Sequence, residues 1–223
     1  MEVETLGLFI LTETLLSLTP GPAVLLILGL SVRYGFKIGV AASLGIISTN
    51  AVYFTLSALG VGALIVASST LFTLIKLVGA VYLAYLGINM LLPIFKRMRG
   101  KVHHNKQIID IDKASKNVQA LEGNFTKSFT KGFMLQASNP KNILFFVAIL
   151  PQFISPEGNV AVQLIILGIA SVLLELPILL FYGFSFAKAA VFMKELIVER
   201  IEAVAGCFLI LMGGALAFYH KSN

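Results

Sequence analysis

Thr19-Pro20-Gly21-Pro22, inside an apolar run from Leu6 to Leu30, and Asn139-Pro140-Lys141, inside another from Gly132 to Ile154, decide how this chain folds. Proline lacks the N–H that continues a helix, so each string breaks the helix around it. Lipid supplies no water to a freed backbone group, and such a break survives only where protein or a polar cavity satisfies it. Paired interruptions at corresponding places in two halves of a membrane chain point to a solute-binding site.

Working outward, 57% of the 223 residues are hydrophobic and 13% are charged, far too apolar for an ordinary soluble domain. Apolar runs of about 20 residues cross a hydrocarbon core roughly 30 Å thick. Six such runs are expected to be helical spans: Leu6–Leu30, Val40–Val66, Leu71–Leu92, Gly132–Ile154, Val160–Phe186 and Ile201–Tyr219. An outer-membrane barrel would show short alternating segments instead. Acidic Met1-Glu2-Val3-Glu4 stands where a cleavable signal peptide needs Lys or Arg, so the first span is expected to be retained. The single cysteine, Cys207, allows neither an internal disulfide nor a dithiol pair.

The net charge of +6 is distributed by topology rather than as a nucleic-acid surface. Nine of 17 basic residues lie between Lys96 and Lys131, while Arg33 and Lys37 follow span 1 and Lys188, Lys194 and Arg200 follow span 5. These loops share one side, and the opposite loops, Ala67–Thr70 and Ser155–Asn159, carry no Lys or Arg. The positive-inside rule makes the basic side cytoplasmic and puts both termini outside, with Lys221 the exception.

The chain thus divides into a three-helix repeat (1–92), a basic cytoplasmic linker (93–131) and a second three-helix repeat (132–223). An odd number of spans per half inverts the second half, giving an all-α membrane protein of six helices in a 3+3 inverted repeat with helices 1 and 4 proline-broken. Gly79 and Gly87 in span 3, and Gly206 and Gly214 in span 6, repeat a spacing of eight that places each pair near one helix face for close packing. The linker carries His103, His104, Asp110, Asp112 and Lys113; it reads as a solvated topology signal, with contact to anionic lipid as the sharper alternative.

After each break a half-helix restarts inside the membrane, and its unpaired N–H groups can receive an anion such as a carboxylate. Pro20, Pro22 and Pro140 shape the restarts, Gly21 permits close backbone approach, and Thr19 and Asn139 are candidate caps. Glu13, Lys76, Lys141 and Glu175 lie within the spans, where an unpaired charge costs at least about 2.5–3.5 kcal/mol near the bilayer centre. Glu13 and Glu175 are candidates for holding a substrate ammonium or carrying a proton, or for pairing structurally with Lys141. Lys76 is close enough to a span end to snorkel. Asn50 is a neutral polar group able to bond a ligand or another helix. There is no GxxxxGK[ST] motif for ATP, and no nucleophile–base or metal constellation that would make an enzyme.

Leu18-Thr19-Pro20-Gly21-Pro22-Ala23-Val24-Leu25-Leu26 resembles the opening signature of the lysine exporter (LysE/RhtB) family. Gly35-Phe36-Lys37-Ile38-Gly39 with Ser43-Leu44-Gly45 is similar to the start of its second helix, and the run from Lys76 to Gly87 to its third. Lys131-Gly132-Phe133, Asn139-Pro140-Lys141 and Leu150-Pro151-Gln152-Phe153 resemble the fourth. The resemblance implies a six-helix inner-membrane secondary exporter of amino acids or close derivatives, driven by proton antiport. It marks Pro20, Gly21, Pro22, Asn139, Pro140 and Lys141 as positions that matter. Many members are acidic where Asn50 stands, which shifts acid roles to Glu13 and Glu175.

The implied partners are a small amino-acid substrate, protons and membrane lipid, with no nucleic acid, cofactor or bound metal; a homo-oligomer stays open. The alternative within the same broad fold group is a divalent metal-ion exporter, weakened by a single Cys and by spans without His before His220.

Overall fold

The computed structural model describes residues 2–67, 69–98 and 123–188, together with 203–204, 206–211 and 214 of the last apolar run. The linker histidines, Asp110, Asp112, Lys113 and the Lys76 side chain lie outside the described residues. Helices α1 (Val3–Leu18) and α2 (Pro22–Tyr34) flank the first break, followed by α3 (Phe36–Ala67) and α4 (Ser69–Met98). After the linker come α5 (Phe125–Ala137), α6 (Pro140–Leu144), a π-helical turn (Phe145–Ile149), a 3₁₀ turn (Leu150–Phe153) and α7 (Val160–Lys188). The described residues contain no strand.

Both breaks are sharp bends. α1 meets α2 at 51°, and α5 meets the segment Pro140–Phe153 at 52°. By length and composition, Phe36–Gly60 and Val160–Ser185 are each able to cross a membrane, and the count among the described residues rises to four if each bent pair is one span. Helix α4 contributes a shorter apolar stretch, Leu77–Asn89, and the expected sixth span is described only in fragments. Helical structure extends to Met98 and resumes at Phe125, so the helices run into both ends of the segment read as linker. Asn124 starts α5, its Oδ1 accepting from the Lys127 N–H at 3.0 Å.

The prolines explain where the chain is tied together. A helical N–H bonds the carbonyl four residues back, so Pro20 frees the carbonyl of Leu16, Pro22 that of Leu18 and Pro140 that of Gln136. Each is recovered. Lys141 Nζ donates to the Leu16 carbonyl at 2.6 Å, and Tyr182 Oη donates to the Leu18 carbonyl at 2.8 Å. The Gln136 carbonyl accepts from the Asn139 N–H at 3.2 Å and from Asn142 Nδ2 at 3.4 Å. Tyr53 Oη donates to the carbonyl of Ala137, the last residue of α5, at 2.7 Å. The exchange is reciprocal: a tyrosine of each half closes the last carbonyl before the other half's break.

Close packing is carried by small residues, as lipid-embedded helices require. A Cβ on Gly45 of α3 would run into the Phe129 carbonyl of α5, and one on Gly132 of α5 into the Ala42 carbonyl of α3. Gly79 abuts the Ala148 carbonyl, and Gly87 faces Gly206 across the α4 contact with the last helix. Gly214 meets nothing within 4 Å, so the expected second small-residue contact of span 6 is not made by that glycine among the described residues. Gly35 has φ +88° at the corner between α2 and α3, a conformation that favours glycine.

Two buried clusters flank the breaks. One gathers Phe9, Leu16, Phe145, Phe146 and Phe153, with Phe9 and Phe153 edge to face at 5.3 Å. The other joins Val24, Ile27 and Leu30 of α2 to Ile46 of α3 and Leu179 of α7. Large apolar side chains also point outward, including Leu77, Val81 and Ile88 of α4 and Ile165, Ile169 and Leu173 of α7, the arrangement a lipid-facing surface needs.

Candidate functional site

A cavity of about 70 Å³ lies where the two breaks meet, between the two clusters. It is lined by Glu13, Thr19, Gly21, Asn50, Asn139, Lys141 and Glu175, which the sequence had singled out from five separate segments. Gln136, Asn142 and Ser17 line it as well, and sequence reasoning passed over them. The usable signal for Gln136 was a long polar side chain one turn before the Asn139 break, inside an apolar run. The three break prolines Pro20, Pro22 and Pro140 set the backbone and are absent from the lining.

Both carboxylates are buried, Glu13 at 6% and Glu175 at 8% exposure, and each is held by one neutral donor. Ser171 Oγ donates to Glu13 Oε1 at 2.7 Å, linking α7 to α1. Asn50 Nδ2 donates to Glu175 Oε2, linking α3 to α7. The Asn50 carbonyl oxygen accepts from Gln136 Nε2 at 3.1 Å, whose own Oε1 accepts from Asn139 Nδ2 at 3.4 Å. Asn139 Oδ1 in turn accepts from the Lys141 N–H at 3.1 Å. A continuous polar chain therefore runs from Glu175 to the second break, and the acceptor at Glu175 fixes which way each amide points. Asn50 thus bonds other helices, as one of its two readings expects, and it lies in the cavity lining.

The half-helix ends differ. Asn139 caps α6 as expected, its Oδ1 taking the Lys141 N–H, and α6 has only five residues. Thr19 does not cap α2: its Oγ1 turns back to the Leu15 carbonyl at 2.8 Å, because that carbonyl sits within reach one turn behind. The start of α2, with Gly21, Ala23 and Val24 in the lining, has no side-chain cap and is the end able to meet an acceptor atom of a ligand.

Lys141 Nζ donates to the Leu16 carbonyl, at the C-terminal end of α1, where a helix dipole welcomes a cation. Its charge also acts on Glu13 and Glu175, and the two carboxylates act on each other. The described residues hold no group of three His, Cys, Asp or Glu side chains able to bind a metal ion.

A charged cavity between two broken apolar helices, with a donor at every freed carbonyl, is the arrangement that a membrane translocator is expected to have. The chain belongs to the family described as LysE type translocator, which matches residues 14–220. It is 35% identical to an uncharacterized membrane protein of Pseudomonas aeruginosa over 98% of this chain and 86% of that one. A Bacillus subtilis membrane protein is 30% identical over 95% and 97% of the two chains. A homoserine/homoserine lactone efflux protein of Salmonella typhimurium is 27% identical over 94% of each chain. No solved structure matches. A member of a translocator family with efflux relatives is a transporter and not an enzyme.

Proposed function

We propose that this chain exports amino acids or their close derivatives from the cytoplasm through the cavity between the breaks, in exchange for protons. The observation that carries the reading is the convergence of both breaks on one small cavity holding Glu13, Glu175 and Lys141. Family membership and the Salmonella relative's efflux of homoserine and its lactone support the substrate class. At about 70 Å³ the cavity suits a small polar solute, well below the roughly 300–1,000 Å³ of drug-sized pockets.

In this reading the substrate ammonium sits against the carboxylates and its carbonyl or carboxyl oxygen meets the open start of α2. The two halves form a 3+3 inverted repeat that rocks around the cavity in an inner membrane, with the basic linker cytoplasmic and both termini outside. The reciprocal bonds Tyr53–Ala137 and Tyr182–Leu18 support that symmetry.

Efflux of amino acids from loaded vesicles, with and without a pH gradient, tests the proposal. Glu175→Gln abolishes uphill, gradient-driven export while downhill exchange of substrate persists, because an amide keeps the shape and cannot carry a proton. If exchange and uphill export fall together, Glu175 holds the ammonium instead. If folded protein is lost and Glu175→Gln with Lys141→Met restores it, Glu175 is a structural partner of Lys141. Efflux of Cd²⁺ without any amino acid would replace the reading with metal export.

A further inference from the structure

Resting on that reading, we infer that the cavity selects its cargo by net charge: it carries one monocationic ammonium or one proton in turn, and prefers amines whose carboxyl group is masked as an ester, lactone or amide to the free zwitterion. The argument starts from a count of fixed charges. Among the described residues, the ionisable side chains in the lining are Glu13 from α1, Lys141 from α6 and Glu175 from α7, and α2, α3 and α5 contribute none. Arg33, Lys37, Lys127 and Lys131 on those three helices stand outside the lining. Two carboxylates and one ammonium leave the cavity with one negative charge in excess.

Helix dipoles do not make up the difference. At the first break the negative end of α1 and the positive end of α2 face one another, and at the second α5 and α6 do the same, so the partial charges largely cancel. A net charge enclosed by apolar helices is strongly disfavoured and draws in one compensating positive charge. A zwitterion brings none. An ammonium with a masked carboxyl brings one, and its neutral carbonyl oxygen can accept from the N–H groups at the uncapped start of α2.

The binding groups agree. Among the described residues Glu13 accepts one side-chain hydrogen bond, from Ser171, and Glu175 one, from Asn50, while both line the cavity, so acceptor capacity remains for an ammonium. Lys141 Nζ spends one of its donors on the Leu16 carbonyl, and its charge is already offset by one of the two carboxylates. Entry of the ammonium from one side releases one proton from the carboxylate pair to that side, and a proton from the other side takes its place when cargo leaves there. One cation moves out for one proton in. Charge balances, and the cycle is electroneutral.

The test compares an amino acid with its own amide and methyl ester in vesicles containing the purified full chain, with leakage from protein-free vesicles subtracted. Wild-type protein is expected to move the masked compounds at least tenfold faster than the zwitterion at equal concentration, at a rate unmoved by an imposed membrane potential and driven by a pH gradient. Glu13→Gln and Glu175→Gln each bring the cavity to neutrality and are expected to reverse the preference toward the zwitterion. Competition by masked amines against labelled substrate, read on wild-type protein, keeps the inference testable if a variant fails to fold. Wild-type preference for the zwitterion, or a rate that follows membrane potential, overturns this inference and leaves amino-acid export standing. Failure of wild-type protein to move either compound overturns both.

Discussion

Removing the Tyr182 hydroxyl tests whether tertiary donors hold the breaks together. In Tyr182→Phe the ring remains in its buried place on α7, and only the donor to the Leu18 carbonyl disappears. Pro22 denies that carbonyl its ordinary helical partner, so the loss is not repaired locally. A buried carbonyl left without a donor costs about 1–3 kcal/mol. Side-chain hydrogen bonds between membrane helices average about 0.6 and reach about 1.7 kcal/mol, because the unfolded helices also find partners in lipid. The overlap of these ranges sets the expectation at about 1 kcal/mol, roughly a fivefold shift in the unfolding equilibrium. Tyr53→Phe is the matched case at the other break, where the Ala137 carbonyl loses a donor at 2.7 Å. The two bonds share no partner, so the double variant should lose about 2 kcal/mol. Reversible unfolding in mixed detergent micelles, followed by circular dichroism, measures all three. A loss under about 0.3 kcal/mol in both single variants would refute the idea that these tyrosines stabilise the breaks.

Two further outcomes are expected. Gly132→Ala drives a Cβ into the Ala42 carbonyl and should cost about 1–3 kcal/mol by overpacking the α3–α5 contact, whereas Gly7→Ala, with nothing within 4 Å, should be neutral or stabilising in the same unfolding assay. Reporter fusions at Lys113 should score cytoplasmic and fusions at either terminus external; the opposite pattern would reverse the assigned direction of transport.

The sequence by itself determined where the helices break and which groups are expensive to bury. A proline's missing N–H is a covalent fact, so the bends beside Pro20, Pro22 and Pro140 were legible without any fold. The cost of a mid-membrane carboxylate is equally local, and it marked Glu13 and Glu175 before their surroundings were known. Tertiary structure alone decided who answers those demands. The Leu16 carbonyl receives Lys141 from 125 residues away and the Leu18 carbonyl receives Tyr182 from 164 away. Read one at a time, the residues make Thr19 a cap and make Tyr53 and Tyr182 packing or interface anchors, and they leave Gln136 and Ser171 unmarked. A hydrogen bond depends on two groups arriving at about 3 Å with the right orientation, and only the packing of α3 and α7 across the bent helices brings them there.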